Sequence, residues 1–262
     1  MGPGLALLAR APMQHPAGAV PVEPGNEPAV LGRSSAEGPA EECVDRIGES
    51  VMGGTAAGAS AAELMVDLII SLDGYASAEG WPGWWGLEAP EYLAWLEREG
   101  QKQHTYLLGA NTYRLMSAMS AEAATADSGF SETEAASLTG LAGVPKVVFS
   151  SSLRAPLNWP NSRLVGGDAV EAVAEMKRSG NGPMSTLGSL SLSRSLLAAG
   201  LVDRFRLVIF PVITGRTGKE RIYDGYPDVA LEMVDSRTFD GRLQLLEYVP
   251  TVLSSPPGTA PK

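Results

Sequence analysis

Histidine and cysteine are scarce in this sequence: its 262 residues include two histidines, His15 and His104, and one cysteine, Cys43. A lone cysteine excludes an intramolecular disulfide and a cysteine-based zinc site, and we expect no bound metal. A Ser-His-Asp triad would depend on His104, because His15 falls in a Pro- and Gly-rich segment. His104 precedes a predicted strand, whereas the sites of open α/β sheets follow the strands. These shortages disfavour a hydrolase, and we interpret His104 as a surface residue near a helix C-terminus.

Positive charge and long apolar runs are also lacking. With 20 Lys and Arg against 30 Asp and Glu, the formal net charge is −10 at pH 7. An acidic protein repels nucleic-acid phosphates, and an anionic cofactor would need local help from helix N-termini or a few cations. No apolar run approaches the roughly 20 residues of a membrane helix, and residues 5–9 are too short for a secretory signal. We therefore expect a cytoplasmic protein that binds a small molecule, without nucleic-acid or membrane partners.

The first 62 residues differ in composition from the rest. They are rich in Pro, Gly, Ala and Glu, and such a segment buries too little apolar surface to offset its ordering entropy. We interpret residues 1–62 as a disordered tail, or alternatively as a mis-assigned start with translation beginning at Met65. Residues 63–250 are predicted to form one domain, and residues 251–262 a flexible C-terminal tail.

The domain begins with a continuous apolar run at residues 65–72, which is typical of a buried central strand. Further strands are predicted at residues 105–109, 146–150, 162–165, 183–188, 203–213, 230–239 and 242–249. Helices are predicted at residues 88–99, 112–119, 169–179 and 189–199, with a loop at 120–131. Asp168 is a suitable N-cap for the third helix, and Asp240-Gly241 is a hairpin turn. Alternating strands and helices followed by a hairpin predict an α/β fold with a mostly parallel sheet and an antiparallel edge.

Neither a Walker loop nor a G-x-G-x-x-G fingerprint is present. Phosphate binding would have to use other strand-to-helix junctions, and two qualify: Gly109-Ala110-Asn111-Thr112 and Gly188-Ser189-Leu190-Ser191. Each places backbone N–H groups and small side chains at a helix N-terminus, where anions bind well. The alternative for each is an ordinary tight turn with an N-cap.

An ordered series of segments resembles the dihydrofolate-reductase-like family, including the reductase half of the riboflavin-biosynthesis deaminase/reductase. The segments are SLDGY (71–75), LLGANTY (107–113), KVVFSSSL (146–153), GD (167–168), LGSLSLSRSLLAAGLVDRFRLVIFPVITG (187–215) and DSRTFDGRLQLLEY (235–248). The resemblance implies a three-layer α/β sandwich. It also implies NADPH as the hydride donor.

The resemblance also implies roles for the turns. Gly109, Asn111 and Thr112 would contact cofactor phosphates. Ser150 and Ser151 would lie near the adenosine 2′-phosphate, and Gly188, Ser189 and Leu190 would pass beneath the pyrophosphate and nicotinamide.

The chain departs from the family at one position in the first turn and one just after it. Members often carry Arg where this chain has Ala110, and an acid where it has Arg114. Either Arg114 replaces the missing cation from one turn along, or the selectivity for NADPH is weakened. The basic loop GRTGKER at residues 215–221 is interpreted as a solvated turn.

Asp73 is the candidate catalytic residue. A carboxylate at the mouth of the central strand could orient a substrate or relay a proton, or Asp73-Gly74 could be turn chemistry alone. Trp84 and Trp85, with Trp81, either form a lid that stacks on a flat substrate or pack over the core or a partner. That loop and the apolar strand at 207–213 are the grounds for expecting a homodimer. The leading hypothesis is an NADPH-dependent reductase of a small heterocyclic or carbonyl substrate. The alternative is a non-catalytic ligand-binding or assembly module.

Overall fold

The structure is a computed structural model that describes residues 62–80, 90–125, 127–180 and 182–258. The strands, in chain order, are β1 (Leu64–Ser71), β2 (Tyr75–Ala78), β3 (Thr105–Gly109), β4 (Lys146–Phe149), β5 (Ser162–Val165), β6 (Met184–Thr186), β7 (Arg204–Phe210), β8 (Gly218–Arg221), β9 (Val229–Phe239) and β10 (Leu243–Val252). The helices are α1 (Pro90–Gly100), α2 (Ala110–Ala123), α3 (Glu132–Gly140), α4 (Ala169–Arg178) and α5 (Leu190–Ala198), and a 3-10 helix spans Leu141–Gly143.

Eight strands form one sheet in the order β5-β4-β3-β6-β1-β7-β10-β9. The apolar strand β1 lies in the interior, parallel to both β6 and β7, as its sequence predicts. Strand β10 is antiparallel to β7 and to β9. Asp240 and Gly241 join β9 to β10 with φ angles of 52° and 66°, as a type I′ hairpin turn requires.

Apolar residues on both faces of the sheet hold the helices in place. On one face, α4 and α5 pack against β1, β3, β4 and β7 in a continuous core. On the other face, α1 packs over β7 and β10, and α2 over β3 and β4, in two separate clusters. The three-layer α/β fold with a mostly parallel sheet and a C-terminal antiparallel hairpin is therefore confirmed.

A buried charged group occupies the α1 face of the sheet. The Arg206 guanidinium donates to Asp67 at 2.6 Å and to Glu99 at 2.8 Å, so β7, β1 and α1 are joined by one cation. His104 lies nearby, four residues after the end of α1, and is half-buried rather than fully exposed. Burial, together with repulsion from Arg206, lowers the pKa of His104. Because His104 precedes β3, it lies at the sheet edge opposite the strands' carboxyl ends.

Two helical predictions need correction. Helix α2 extends to Ala123, and α3 begins at Glu132, within and just beyond the predicted loop at 120–131. The small residues there were interpreted as loop residues, although Ala and Glu favour helices. A capping box starts α3: Ser131 Oγ accepts from Glu134 N, and the Glu134 carboxylate accepts from Ser131 N. None of the helices in the described ranges is long and apolar enough to cross a membrane.

Two short strands were not predicted from the sequence. Strands β2 and β8 pair antiparallel as a separate small sheet, and β8 comes from the loop interpreted as a solvated turn. The strand predicted at 203–213 ends at Phe210, and Leu207, Val208 and Phe210 are buried within the chain. That strand therefore gives no support to a homodimer, which stays a prediction.

Candidate functional site

The predicted site residues follow four parallel strands that end at one edge of the sheet. Asp73 follows β1, Gly109 ends β3, Ser150 follows β4, and Gly188 follows β6. Because β4, β3, β6 and β1 are neighbours in this order, the carboxyl edge collects residues that are far apart in sequence. Ligands of open α/β sheets bind at this edge.

The two predicted phosphate turns are in direct contact. The backbone N–H of Gly109 donates to Ser189 Oγ at 2.9 Å. A Cβ added to Gly188 would lie 3.6 Å from Thr112 Cγ2, so the second turn passes close to the first. Gly188 and Ser189 have φ angles of 58° and 61°. A non-glycine residue in the left-handed region is uncommon and marks positions that the surrounding structure holds in place.

A cavity of about 400 Å³ lies where the turns meet. Five of the predicted site residues line it: Gly109, Asn111, Thr112, Ser189 and Leu190. The other lining residues are Ala110, Phe149, Ala169, Ser191, Leu192, Ser195 and Glu220. Gly188, Ser150, Ser151 and Asp73 are outside the lining.

Both helices that start at this cavity lack the usual N-terminal partners. Neither Gly109 before α2 nor Ser189 before α5 makes a side-chain cap, and neither helix has an acid in its first turn. The first N–H groups of a helix have no partner within the helix, and they carry the positive end of its dipole. Two such helix starts therefore present N–H donors and positive potential to one cavity.

A cation and two serines lie beside the first turn. Arg114 Nη1 donates to Asn111 Oδ1 and Nη2 donates to Ser152 Oγ, each at 3.2 Å. Ser150 Oγ accepts from the backbone N–H groups of Ser152 and Leu153. The loop after β4 is thus joined to the second turn of α2, and Asn111 connects this group to the cavity.

Asp73 has partners within its own chain. Its carboxylate accepts from Ser71 Oγ at 2.6 Å and from the backbone N–H groups of Gly215 at 2.8 Å and Thr214 at 3.2 Å. Partial burial raises the pKa of the Asp73 carboxyl, but these hydrogen bonds outweigh it and lower the pKa to about 2. The group is therefore an ionised acceptor that fixes the loop after β7. This chemistry suits orienting a donor, and it disfavours Asp73 as the source of a proton, because the ionised carboxylate carries none at neutral pH.

Glu220 is a charged lining residue that the sequence analysis missed. It lies on β8 with a φ of 60°, and its carboxylate accepts from Ser77 Oγ of β2 at 3.1 Å. Only the pairing of β2 with β8 brings this acid to the cavity, so the loop composition gave no signal for it. Trp84 and Trp85, the predicted substrate contacts, lie outside the described residues.

A second cavity, of about 480 Å³, lies between α2, α3 and Trp159. Its lining consists mainly of alanines and hydroxyl residues, with Asn158 and without a charged side chain. None of the predicted site residues contributes to it. The cavity at the carboxyl edge is therefore the candidate site.

Comparison with known proteins agrees with this architecture. The chain is 32% identical over 84 residues to YyaP, an uncharacterized protein of Bacillus subtilis (strain 168), and the match spans 32% of this chain but only 44% of that protein. A protein assigned to riboflavin biosynthesis from Shewanella sp. PV-4 superposes with a TM-score of 0.52 at 18% identity, over 72% of this chain and 99% of the other. Acinetobacter baumannii RibD superposes with a TM-score of 0.50 at 13% identity, over 73% and 59%.

At these identities the structural likeness shows a shared fold. The family assignment comes from a separate match: the profile of the RibD C-terminal domain fits residues 62–245, which include every strand of the sheet up to the start of β10. The resemblance predicted from the ordered segments is thereby confirmed. The chain belongs to the RibD C-terminal domain family, a reductase-type family.

Proposed function

We propose that the chain is an NADPH-dependent reductase that acts on a small heterocyclic or carbonyl substrate. The observation that carries this proposal is the meeting of two uncapped helix N-termini, those of α2 and α5, at one cavity. Such ends bind phosphate groups, and a dinucleotide pyrophosphate would satisfy both. When bound, NADPH would supply the hydride from its nicotinamide ring.

The residues of the cavity fit a dinucleotide. Gly109 and Ala110 in the lining, and Gly188 next to the lining residue Ser189, are small enough for a phosphate to approach the backbone closely. The hydroxyls of Thr112 and Ser191 can donate to phosphate oxygens. The Glu220 carboxylate can accept hydrogen bonds from ribose hydroxyls or from a carboxamide. An acid is unfavourable beside a phosphate, so we place the sugar or nicotinamide, rather than the phosphates, next to Glu220.

Asp73 is proposed to orient the substrate. With its pKa at about 2, the carboxylate stays ionised at neutral pH and can accept from an amide or hydroxyl. Leu72 and Ile213, which are 62% and 71% exposed, lie beside Asp73 and its loop. They offer apolar contact to a flat ring. A proton needed by the product would come from water or from the substrate itself.

Nicotinamide fluorescence titration tests the proposal. We expect saturable binding of NADPH, followed by its oxidation in the presence of a member of a panel of carbonyl, pteridine and pyrimidine acceptors. Absence of NADPH and NADH binding at millimolar concentration would refute it, unless a flavin or deazaflavin carrier binds instead. The control is a titration with reduced nicotinamide mononucleotide, which lacks the pyrophosphate.

The second candidate function is a non-catalytic ligand-binding or assembly module. The observations that favour it are Ala110, which leaves the first turn without the family's usual arginine, and Asp73, whose carboxylate already has partners. Binding of NADPH without turnover across the whole panel would support this candidate over the reductase.

A further inference from the structure

Glu220 is an acid in a cavity whose other features favour anions. The first turns of α2 and α5, which lack side-chain caps, line this cavity, and Glu220 is the one charged side chain in the lining. In the described part of the chain no Lys, Arg or His nitrogen lies within 4.0 Å of its carboxylate. An uncompensated carboxylate repels phosphates, so a ligand that carries them gains from Glu220 only if another part of it becomes positive.

The fold holds Glu220 in place on β8. Its φ of 60° lies in the left-handed region, which is uncommon for a residue other than glycine and persists where the surrounding structure determines it. Ser77 Oγ of β2 donates to the Glu220 carboxylate at 3.1 Å and to Lys219 O at 3.3 Å. The pairing of β2 with β8 therefore fixes both the backbone and the carboxylate of this residue.

The cavity has one side near β4 and another near β1. Phe149, the last residue of β4, lines the cavity, and the sheet order β4-β3-β6-β1 places β1 on the far side of the two turns. Strand β8 lies with β1, because Ile222 N donates to Gly74 O at 3.0 Å and Gly74 follows Asp73. Glu220 therefore belongs to the β1 side of the cavity, which is also the side of Asp73.

This placement determines which part of a bound dinucleotide meets Glu220. The phosphates belong at the starts of α2 and α5, and the nicotinamide must lie beside the substrate that Asp73 orients. When bound, NADPH supplies a hydride from C4 of its ring to the acceptor carbon, water or the substrate supplies the proton, and the ring is left with one positive charge. A carboxylate attracts the charged ring and gains nothing from the neutral one.

We propose that Glu220 is a catalytic residue whose carboxylate faces the nicotinamide ring and stabilises the positive charge that develops there as the hydride leaves. This inference rests on the proposed function and narrows the placement beside Glu220 to the nicotinamide. Fixed charges that match a developing charge lower the barrier of the chemical step. The same contact favours binding of the oxidised cofactor, NADP⁺, relative to NADPH, and this preference can be measured without a substrate.

The test is calorimetric titration of NADP⁺ and NADPH into the wild type, Glu220→Gln and Glu220→Lys, a series in which the charge at one position rises by one unit per step. The ratio of the NADP⁺ to the NADPH dissociation constant should rise about 10-fold in Glu220→Gln. This factor lies between those for two unit charges about 5 Å apart in water and at an effective dielectric constant of about 20. The ratio should rise further in Glu220→Lys.

The matched control is Glu232→Gln, which neutralises an exposed glutamate on the edge strand β9 and should leave the ratio unchanged. Circular dichroism and thermal melting establish that each variant is folded. With any acceptor that supports turnover, Glu220→Gln should also slow hydride transfer, by no more than the change in the ratio, because the ring charge is only partly formed in the transition state.

An unchanged ratio across the charge series would overturn the contact with the nicotinamide and leave the proposed function intact. Equal changes in the affinities for NADP⁺ and NADPH would overturn it as well, because they indicate an effect on the phosphates or on the fold. A shifted ratio with unchanged hydride transfer would overturn the catalytic role. Binding of neither cofactor by the wild type would overturn the proposed function and this inference together.

Discussion

The helices fall into two groups according to which residues accept hydrogen bonds from their first N–H groups. Asp168 caps α4 by accepting from Val170 N and Glu171 N, and a capping box starts α3. At the start of α1, Asp240 accepts from Glu91 N and Tyr92 N. Each of these helices also has an acid in its first turn.

Helices α2 and α5 have neither feature, and their first turns contribute most of the helical lining of the cavity, to which α4 adds only its first residue, Ala169. Where the chain supplies its own carboxylate or hydroxyl, N–H groups at the helix start have an acceptor without a ligand. Where it does not, N–H groups and dipole charge remain for an external anion. The difference therefore supports the proposed placement of an anionic ligand at the starts of α2 and α5.

The largest effect on NADPH binding is expected when a carboxylate is placed at the start of α5, because that helix then has the first-turn acid that α1, α3 and α4 already have. We expect Leu190→Asp to weaken NADPH binding by about 100-fold, since two like charges about 5 Å apart repel by roughly 3 kcal/mol at an effective dielectric constant of 20. Leu190→Asn is the control, because it removes the same apolar contacts with the core without adding charge. Equal dissociation constants for the two variants, measured by fluorescence titration, would show that α5 does not face the cofactor.

Asp73 tests whether a carboxylate that already serves backbone donors can also serve a ligand. If Asp73 orients the substrate, Asp73→Asn should reduce turnover by roughly 10²-fold, the cost of a substrate misplaced by about 1 Å, with little change in NADPH affinity. Asn keeps the size and turn preference of Asp. Loss of thermal stability with unchanged turnover per folded molecule would assign Asp73 to the loop after β7 alone. Asp127→Asn, an exposed aspartate in a turn, is the control.

Removing the N-cap of α4 should lower the stability of the fold and leave NADPH binding unchanged. We expect Asp168→Ala to lower the free energy of unfolding by about 1 kcal/mol, the usual value of an N-cap, because Val170 N and Glu171 N lose their acceptor. Denaturant unfolding measures this loss, and the NADPH dissociation constant should match that of the wild type. A weakened NADPH complex would mean that α4 also contributes to the site.

The pH dependence of stability should show the smallest effect. Hydrogen bonds hold the folded-state pKa of Asp73 at about 2, below its ordinary value of 3.8. The stabilisation from the ionised carboxylate is therefore fully present above about pH 4 and is lost as the pH falls through about 2. Solvent screening reduces it, because the carboxylate is only partly buried. The thermal midpoint of the wild type should fall toward that of Asp73→Asn between pH 4 and 2, and a constant difference over this range would contradict the assignment.

The sequence predicted the central parts of the fold well. The apolar run that became β1 and the Asp240-Gly241 turn both carry strong local signals, and both predictions are confirmed. Helix α3 was missed because its alanines, serine and threonines lack an apolar stripe, with Leu138 as its one buried residue. Strands β2 and β8 were missed because they are short and partly exposed, so their pairing depends on tertiary contacts.

The sequence predicted the separate turns of the site but not which of these turns lie next to each other in the fold. Small residues after a strand indicated both anion turns, yet the bond from Gly109 N to Ser189 Oγ joins residues 80 positions apart. Glu220 and Arg114 depend on similar long-range placement. A local pattern contains no information on which turns become neighbours, because the sheet order decides it.

The position of β1 in the sheet has a consequence for synthesis of the chain on the ribosome. Among the strands in the described residues β1 is made first, yet its hydrogen-bonded neighbours are β6 and β7, whose residues begin at Met184 and Arg204. More than a hundred residues must therefore emerge before the most apolar strand is paired on either side. Such non-local pairing is slow, and an unpaired apolar strand invites aggregation. The nascent chain is thus expected to depend on chaperone protection until β7 has left the ribosome.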